Sequence, residues 1–127
     1  MNKAVLDASA ILAALFDEPG AEKLTDEVTD NAVVSSVNLA EVQAKLIKKG
    51  YEPSEAWEDA LSVATAEHFT PNQARIAGTL IEKTGRLGLS LGDRSCLALA
   101  IDLRGEVYTA DQAWRGLKLG IPIHVIR

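Results

Sequence analysis

Lys3-Ala-Val-Leu-Asp7 carries three consecutive apolar residues, Ala4 to Leu6, and closes on a carboxylate. An apolar run without polar alternation suits a central strand buried on both faces, as parallel sheets require. Outward from it, strand and helix patterns alternate. Ser9 to Phe16 is rich in Ala and Leu and reads as helix, broken by Glu18-Pro19-Gly20. A second helix is expected from Ala21 to Val28, and a short strand from Ala32 to Ser35. Between Asn38 and Lys49, Leu39, Val42 and Leu46 recur at helical spacing, as do Ala40, Ala44 and Ile47, and Gly50 supplies a stop. Pro53 suits the first turn of a further helix, with Trp57, Ala60, Leu61 and Ala64 on one face.

Glu67 to Thr70 is a marginal strand, and Pro71 starts a helix that carries Ala74, Ala77, Leu80 and Ile81 and ends before Gly85. Gly88 to Gly92 is expected as a loop. Asp93 to Leu103 is a strongly apolar helix stopped at Gly105. Val107 to Thr109 reads as strand, Gln112 to Leu117 as a short helix, and Ile121 to Ile126 as a last strand. This alternation predicts an α/β fold with a mainly parallel central sheet covered by helices on both faces.

In such sheets, sites form beyond the carboxyl ends of the strands. Asp7 and Asp111 fall at such ends, and Glu41 and Asp93 fall near the starts of two helices. Carboxylates gather at a cost, because their charges repel and desolvation penalises each one. A divalent cation offsets that cost, and hard oxygen ligands select Mg²⁺ or Mn²⁺. A metal-dependent enzyme is therefore the leading expectation. Each acid also has a purely structural alternative. Asp7 and Asp111 suit helix N-caps. Glu41 has Lys45 at the favourable i,i+4 spacing. Ser90 and Asp93 have the spacing of a capping box. The Ser9 hydroxyl could hold a water or phosphate, and Thr109 sits where it could support a neighbouring ligand.

The chain has 127 residues and a hydrophobic fraction of 47%, ordinary for one soluble globular domain. No apolar stretch is long enough to span a membrane. Met1-Asn2-Lys3 leads straight into strand without a signal-peptide pattern, so a cytoplasmic location is expected. A single cysteine, Cys96, excludes an internal disulfide and agrees with a reducing compartment. The net charge of −5 argues against broad electrostatic binding of nucleic acid, although a bound cation would offset the acids locally. An acidic surface also suits a basic protein partner.

Four stretches together resemble the PIN-domain ribonucleases, most closely the VapC toxins of bacterial toxin–antitoxin pairs: Val-Leu-Asp-Ala-Ser-Ala from Val5, Asn-Leu-Ala-Glu-Val from Asn38, Gly-Leu-Ser-Leu-Gly-Asp-Arg-Ser-Cys-Leu-Ala-Leu-Ala from Gly88, and Val-Tyr-Thr-Ala-Asp-Gln-Ala-Trp from Val107. The third is the most specific. The resemblance covers nearly the full length and implies one PIN domain over residues 1–127, with a three-layer α/β/α architecture. It implies an endoribonuclease that hydrolyses RNA phosphodiester bonds at a Mg²⁺ or Mn²⁺ site. The family's ligand positions fall on Asp7, Glu41, Asp93 and Asp111, and its supporting polar positions on Ser9 and Thr109. Substrate contacts would then come from local cations, with Arg86, Arg94 and Arg115 as candidates. A homodimer and a VapB-type antitoxin that blocks the acidic pocket are further implications.

Other readings remain open at this point. A haloacid-dehalogenase-type phosphoryl-transfer domain would need a second Asp where Ser9 stands. A response-regulator receiver would need an adjacent acidic pair and a late Lys, and neither is apparent. A catalytically silent PIN-like interaction module is the alternative from another class. Cys96 lies in an apolar helix without a neighbouring His and reads as packing. His68 and His124 lack zinc spacing. Trp57 could be core or partner surface, and Trp114 reads as packing, with base stacking as a lesser option.

Overall fold

A computed structural model describes residues 2–127. Five strands form one all-parallel sheet: β1 (Ala4–Leu6), β2 (Ala32–Ser35), β3 (Thr65–Glu67), β4 (Glu106–Thr109) and β5 (Ile123–Val125). Their order is β3-β2-β1-β4-β5, with Ala4 in register with both Ala32 and Glu106. The expected α/β class is therefore correct. β1 is central, and β2 and β3 extend the sheet to one side while β4 and β5 extend it to the other. The order reverses between β1 and β4, the place where open parallel sheets bind ligands.

Residue parity along the strands divides the core into two layers. Ala4, Leu6, Ala32 and Val34 face one side, against α1 (Ala8–Phe16), α3 (Ser36–Lys48) and α4 (Pro53–Ala60). Val5, Val33 and Val107 face the other, against Cys96, Leu97, Leu99 and Ala100 of α7 (Leu91–Leu103), with Ile76 of α5 (Pro71–Thr79) and the buried Leu80 after it. Leu6, Ile11, Leu39 and Leu97 are at most 1% exposed, and burying each such side chain stabilises the fold by about 1.5–3 kcal/mol. Asp7 continues the parity of Val5, and Thr109 that of Val107. Both therefore point to the α7 side of the sheet.

Several boundaries differ from the sequence reading. The helix expected over residues 21–28 is two pieces: a 3₁₀ turn, Ala21–Lys23, and α2 (Asp26–Asp30). Leu24 closes the first, and Thr25 starts the second by accepting the Val28 N–H on its side chain. The helix after Pro71 also divides, into α5 and α6 (Ile81–Thr84), followed by a 3₁₀ turn at Gly85–Leu87. β3 starts two residues before the expected Glu67–Thr70 segment and shares only Glu67 with it, so His68 is not on a strand. The last helical segment contracts to a 3₁₀ turn, Gln112–Trp114. Its Trp114 is fully buried in the α7-side core, while Trp57 is exposed.

α7 begins two residues earlier than expected, inside the presumed loop. Its C-terminal left-handed residue is Arg104 at φ 55°, not Gly105. Gly105 is needed for another reason: a Cβ there would lie 2.7 Å from the Lys3 carbonyl oxygen. The glycine lets the turn into β4 pass close beside β1. Among the described residues, no helix is long and apolar enough to cross a membrane.

Candidate active site

Asp7 sits at the carboxyl end of β1, 4% exposed, and caps α1. Its Oδ1 accepts the Ala10 N–H at 2.9 Å and the Ser9 hydroxyl at 2.7 Å. Its Oδ2 accepts the Thr109 hydroxyl at 2.6 Å, from the end of β4. The protons of these hydroxyls are directed by the backbone. Ser9 Oγ accepts the Ala110 N–H at 2.9 Å, and Thr109 Oγ1 accepts the Asp111 N–H at 3.1 Å. A hydroxyl has one proton to give, so each gives it to Asp7. The sheet edge at the β1–β4 reversal is thus a small hydrogen-bonded unit built on one buried carboxylate.

That carboxyl titrates at about 6 rather than 3.8. Burial is the main cause. The hydrogen bonds from Thr109, Ser9 and Ala10 oppose it, and the charge of Asp93 adds to it. Cys96, wholly buried on α7, has its thiol pushed well above the ordinary value, chiefly by burial and then by the charges of Asp7, Asp93 and Glu41. This fixes Cys96 as an inert packing group.

Glu41 and Asp93 meet where α3 crosses the start of α7. The Asn38 amide donates to Glu41 Oε1 at 2.7 Å and to the Gly92 carbonyl at 3.0 Å. Glu41 lies directly over Gly92, where a Cβ would stand 2.5 Å from both carboxylate oxygens. Asp93 is the next residue, half-buried, and completes a reciprocal capping box with Ser90. The expected Glu41–Lys45 pair does not form; among the described residues the ion pairs are His124–Glu106 and Arg127–Glu18.

Asp111 is exposed and caps the following 3₁₀ turn through the Ala113 N–H at 2.9 Å. It joins the Asp7 unit only by its backbone N–H to Thr109. Asp7, Asp93 and Asp111 therefore all serve as caps as well. Among the described residues, no three His, Cys, Asp or Glu side chains are grouped tightly enough to form a ready metal cage. What the fold assembles is an acidic edge with one deep carboxylate, two at the α3–α7 crossing and one at the rim.

The candidate arginines separate. Arg94 donates to the Ala77 carbonyl at 2.9 Å, tying α7 to α5. Arg86 and Arg115 are exposed and line a hollow with Lys83 and Lys118. Asn38 and Gly92 were not singled out in the sequence. Their signals were the i,i+3 spacing of Asn38 to Glu41 and the glycine immediately before Asp93. Gly92→Ala should lower any activity of this edge by about ten- to a hundredfold, because displacement by about 1 Å has that cost. The melting temperature should stay within a few degrees, since the Glu41 side chain can swing aside. Initial rates and a thermal melt on the same preparation check both halves.

The PIN domain family profile matches residues 4–118. No curated protein shows significant sequence similarity to the chain. Among solved structures, VapC20 of Mycobacterium tuberculosis, described as a Sarcin-Ricin loop cleaving toxin, superposes with a TM-score of 0.74 at 18% identity, covering 94% of this chain and 100% of that one. VapBC2 of Rickettsia felis, solved bound to a fragment of its promoter DNA, gives a TM-score of 0.72 at 18% identity over 95% and 96% of the two chains. DNA-bound VapBC from Salmonella typhimurium gives 0.71 at 19% identity over 98% of each. These likenesses are of fold. The profile match spans most of the chain, both flanking strands of the β1–β4 reversal included, and the chain belongs to the PIN domain family.

Proposed function

We propose that the whole chain is one PIN domain acting as a divalent-metal-dependent endoribonuclease, the toxin of a type II toxin–antitoxin pair. The observation that carries this reading is the buried Asp7 at the sheet reversal, with its charge disfavoured by burial and by Asp93. A carboxylate kept at such cost, oriented by two hydroxyls and under the charge of Asp93, suits a group that meets a cation. The donor set is all oxygen, which fits Mg²⁺ or Mn²⁺. Mg²⁺ usually takes one or two carboxylates and keeps several waters, so the lack of a closed cage is compatible with it.

Asp7 and Asp93 would hold the ion, with Glu41 and Asp111 contributing directly or through water. A cation bound there would supply an acidified water and offset charge on the phosphoryl oxygens. The chain's own part is positional. Ser9 and Thr109 fix the Asp7 carboxylate, Asn38 and Gly92 fix Glu41, and the Ser90 box fixes Asp93. RNA is the proposed substrate. A VapB-type antitoxin belongs to the same reading and is supported by the VapBC neighbours; a homodimer and a cytoplasmic setting are its further implications.

The lack of any three grouped acids among the described residues, and the use of three of the four acids as caps, favours a second reading: a silent interaction module on the same fold. Cleavage of single-stranded RNA separates the two. The proposed enzyme should cut with added Mn²⁺ or Mg²⁺, stop with excess EDTA, and recover when metal is restored. Cleavage unaffected by chelation, or none under any metal, would favour the module.

A further inference from the structure

The Lys45 expected to pair with Glu41 is free of it and, one turn further along α3, lines a separate hollow. A groove of about 250 Å³ runs between α1, α3 and the C-terminal residues, lined by Ser9, Phe16, Lys45, Lys49, Glu18 and Arg127 among others. Its lining includes Ser9, whose hydroxyl is bonded to Asp7. The walls carry the ammonium groups of Lys45 and Lys49, neither of which belongs to an ion pair among the described residues. Arg127 is partly offset by Glu18 at 3.5 Å. Phe16 is 38% exposed, with its ring set edge-on to Tyr51 and the Lys49 ammonium 5.2 Å from its centroid.

We propose that this groove receives the single-stranded RNA flanking the bond to be cut, with phosphates on Lys45 and Lys49 and a base stacked on Phe16. The proposal rests on the ribonuclease reading and names its substrate path. Unpaired cations beside an exposed aromatic ring are the two components of sequence-tolerant single-strand binding: charge along the backbone and a face for a base. They stand in a chain whose net charge is −5, so the attraction is local rather than general. The groove is also continuous with the acidic edge through Ser9. A basic protein segment would be repelled here, so an RNA strand is the occupant that the charge favours. Lys45 and Lys49 are substrate-binding residues in this account and have no part in bond breaking.

The test uses the full chain and a fluorescently labelled single-stranded oligoribonucleotide, titrated in EDTA so that no cleavage intervenes. Lys45→Gln with Lys49→Gln should weaken binding about tenfold at low salt. It should also reduce the slope of log affinity against log salt by about 1.4, since each phosphate contact on a single strand contributes about 0.7. Phe16→Ala should weaken binding by about fivefold or more, with Phe16→Tyr restoring it. A charge-matched pair at the opposite edge of the sheet, Lys3→Gln with Arg104→Gln, should change neither quantity. In cleavage assays with Mn²⁺, the double lysine variant should raise KM and leave kcat near wild type. Equal affinity and equal salt slope in the lysine variant would overturn the groove, as would loss of a protein partner's binding with RNA binding intact. Because the titration contains no metal, it judges the groove even where the wild type cuts no RNA, which would count only against the ribonuclease reading.

Discussion

Asp7→Asn should abolish RNA cleavage and, in the same protein, raise the thermal stability of the metal-free form at pH 7.5. The loss of activity should exceed about a hundredfold, because even groups one shell removed from a metal cost 10–100-fold when lost. The gain in stability follows from the titration of Asp7. Its carboxyl holds a proton to about pH 6 in the folded state but ordinarily only to 3.8. Between those values the native state binds the proton and the unfolded chain does not. Stability is therefore fully present below 3.8 and declines as the pH rises through about 6.

The full decline corresponds to about 3 kcal/mol. Asn cannot ionise, still caps a helix well, and keeps an acceptor for Ala10, so it removes the decline. Its amide meets Thr109 less well than a carboxylate does, which returns about 1 kcal/mol. The expected net gain is about 1–2 kcal/mol at pH 7.5, a rise of several degrees in Tm, shrinking to nothing by pH 4. Melts of both proteins in EDTA across this range check it. A variant less stable than wild type at every pH would mean that Asp7 is retained as a structural cap.

A comparably large effect is expected at Asp93, where the cap and the site can be separated. Asp93→Asn keeps an oxygen that can accept the Ser90 N–H, now held at 2.9 Å, but removes the charge. Cleavage should fall more than about a hundredfold with little change in melting. Ser90→Ala does the converse. It removes the acceptor for the Asp93 N–H and costs about 1 kcal/mol, yet leaves the Asp93 charge in place. Activity should remain within a few-fold of wild type while Tm drops by a few degrees. Equal loss of activity in the two variants would assign Asp93 to the capping box alone.

The sheet was legible because its information is local. Ala4-Val5-Leu6 and Ala32 to Ser35 are apolar without alternation, and buried parallel strands need that pattern. Asp7 as a cap could be read from the same few residues. Its bonds to Ser9 and Thr109 could not, because Thr109 lies more than a hundred residues away in sequence and reaches Asp7 only through the β1–β4 pairing. The Glu41–Lys45 pair was a sound local expectation that tertiary structure overrode. Asn38 supplies the donor, at 2.7 Å, and Gly92 leaves the space that the Glu41 carboxylate occupies. Thr25 was a missed cap, and it divides what composition alone presents as one helix. Gly105 was read as a helix stop, whereas the fold uses it where β1 leaves no room for a Cβ. Separate capping duties set the positions of Asp7, Asp93 and Asp111, and the Asn38 amide sets that of Glu41; none of this could be read from a shared cage.

The claim on which the rest depends is that this edge binds a divalent cation through Asp7. Calorimetric titration of Mn²⁺ into metal-free protein measures it without reference to any substrate. Saturable binding is expected at pH 7.5, weakening as the pH is lowered through about 6, where Asp7 takes up its proton, and absent in Asp7→Asn. Equal binding by both proteins, or none by the wild type, would contradict the account.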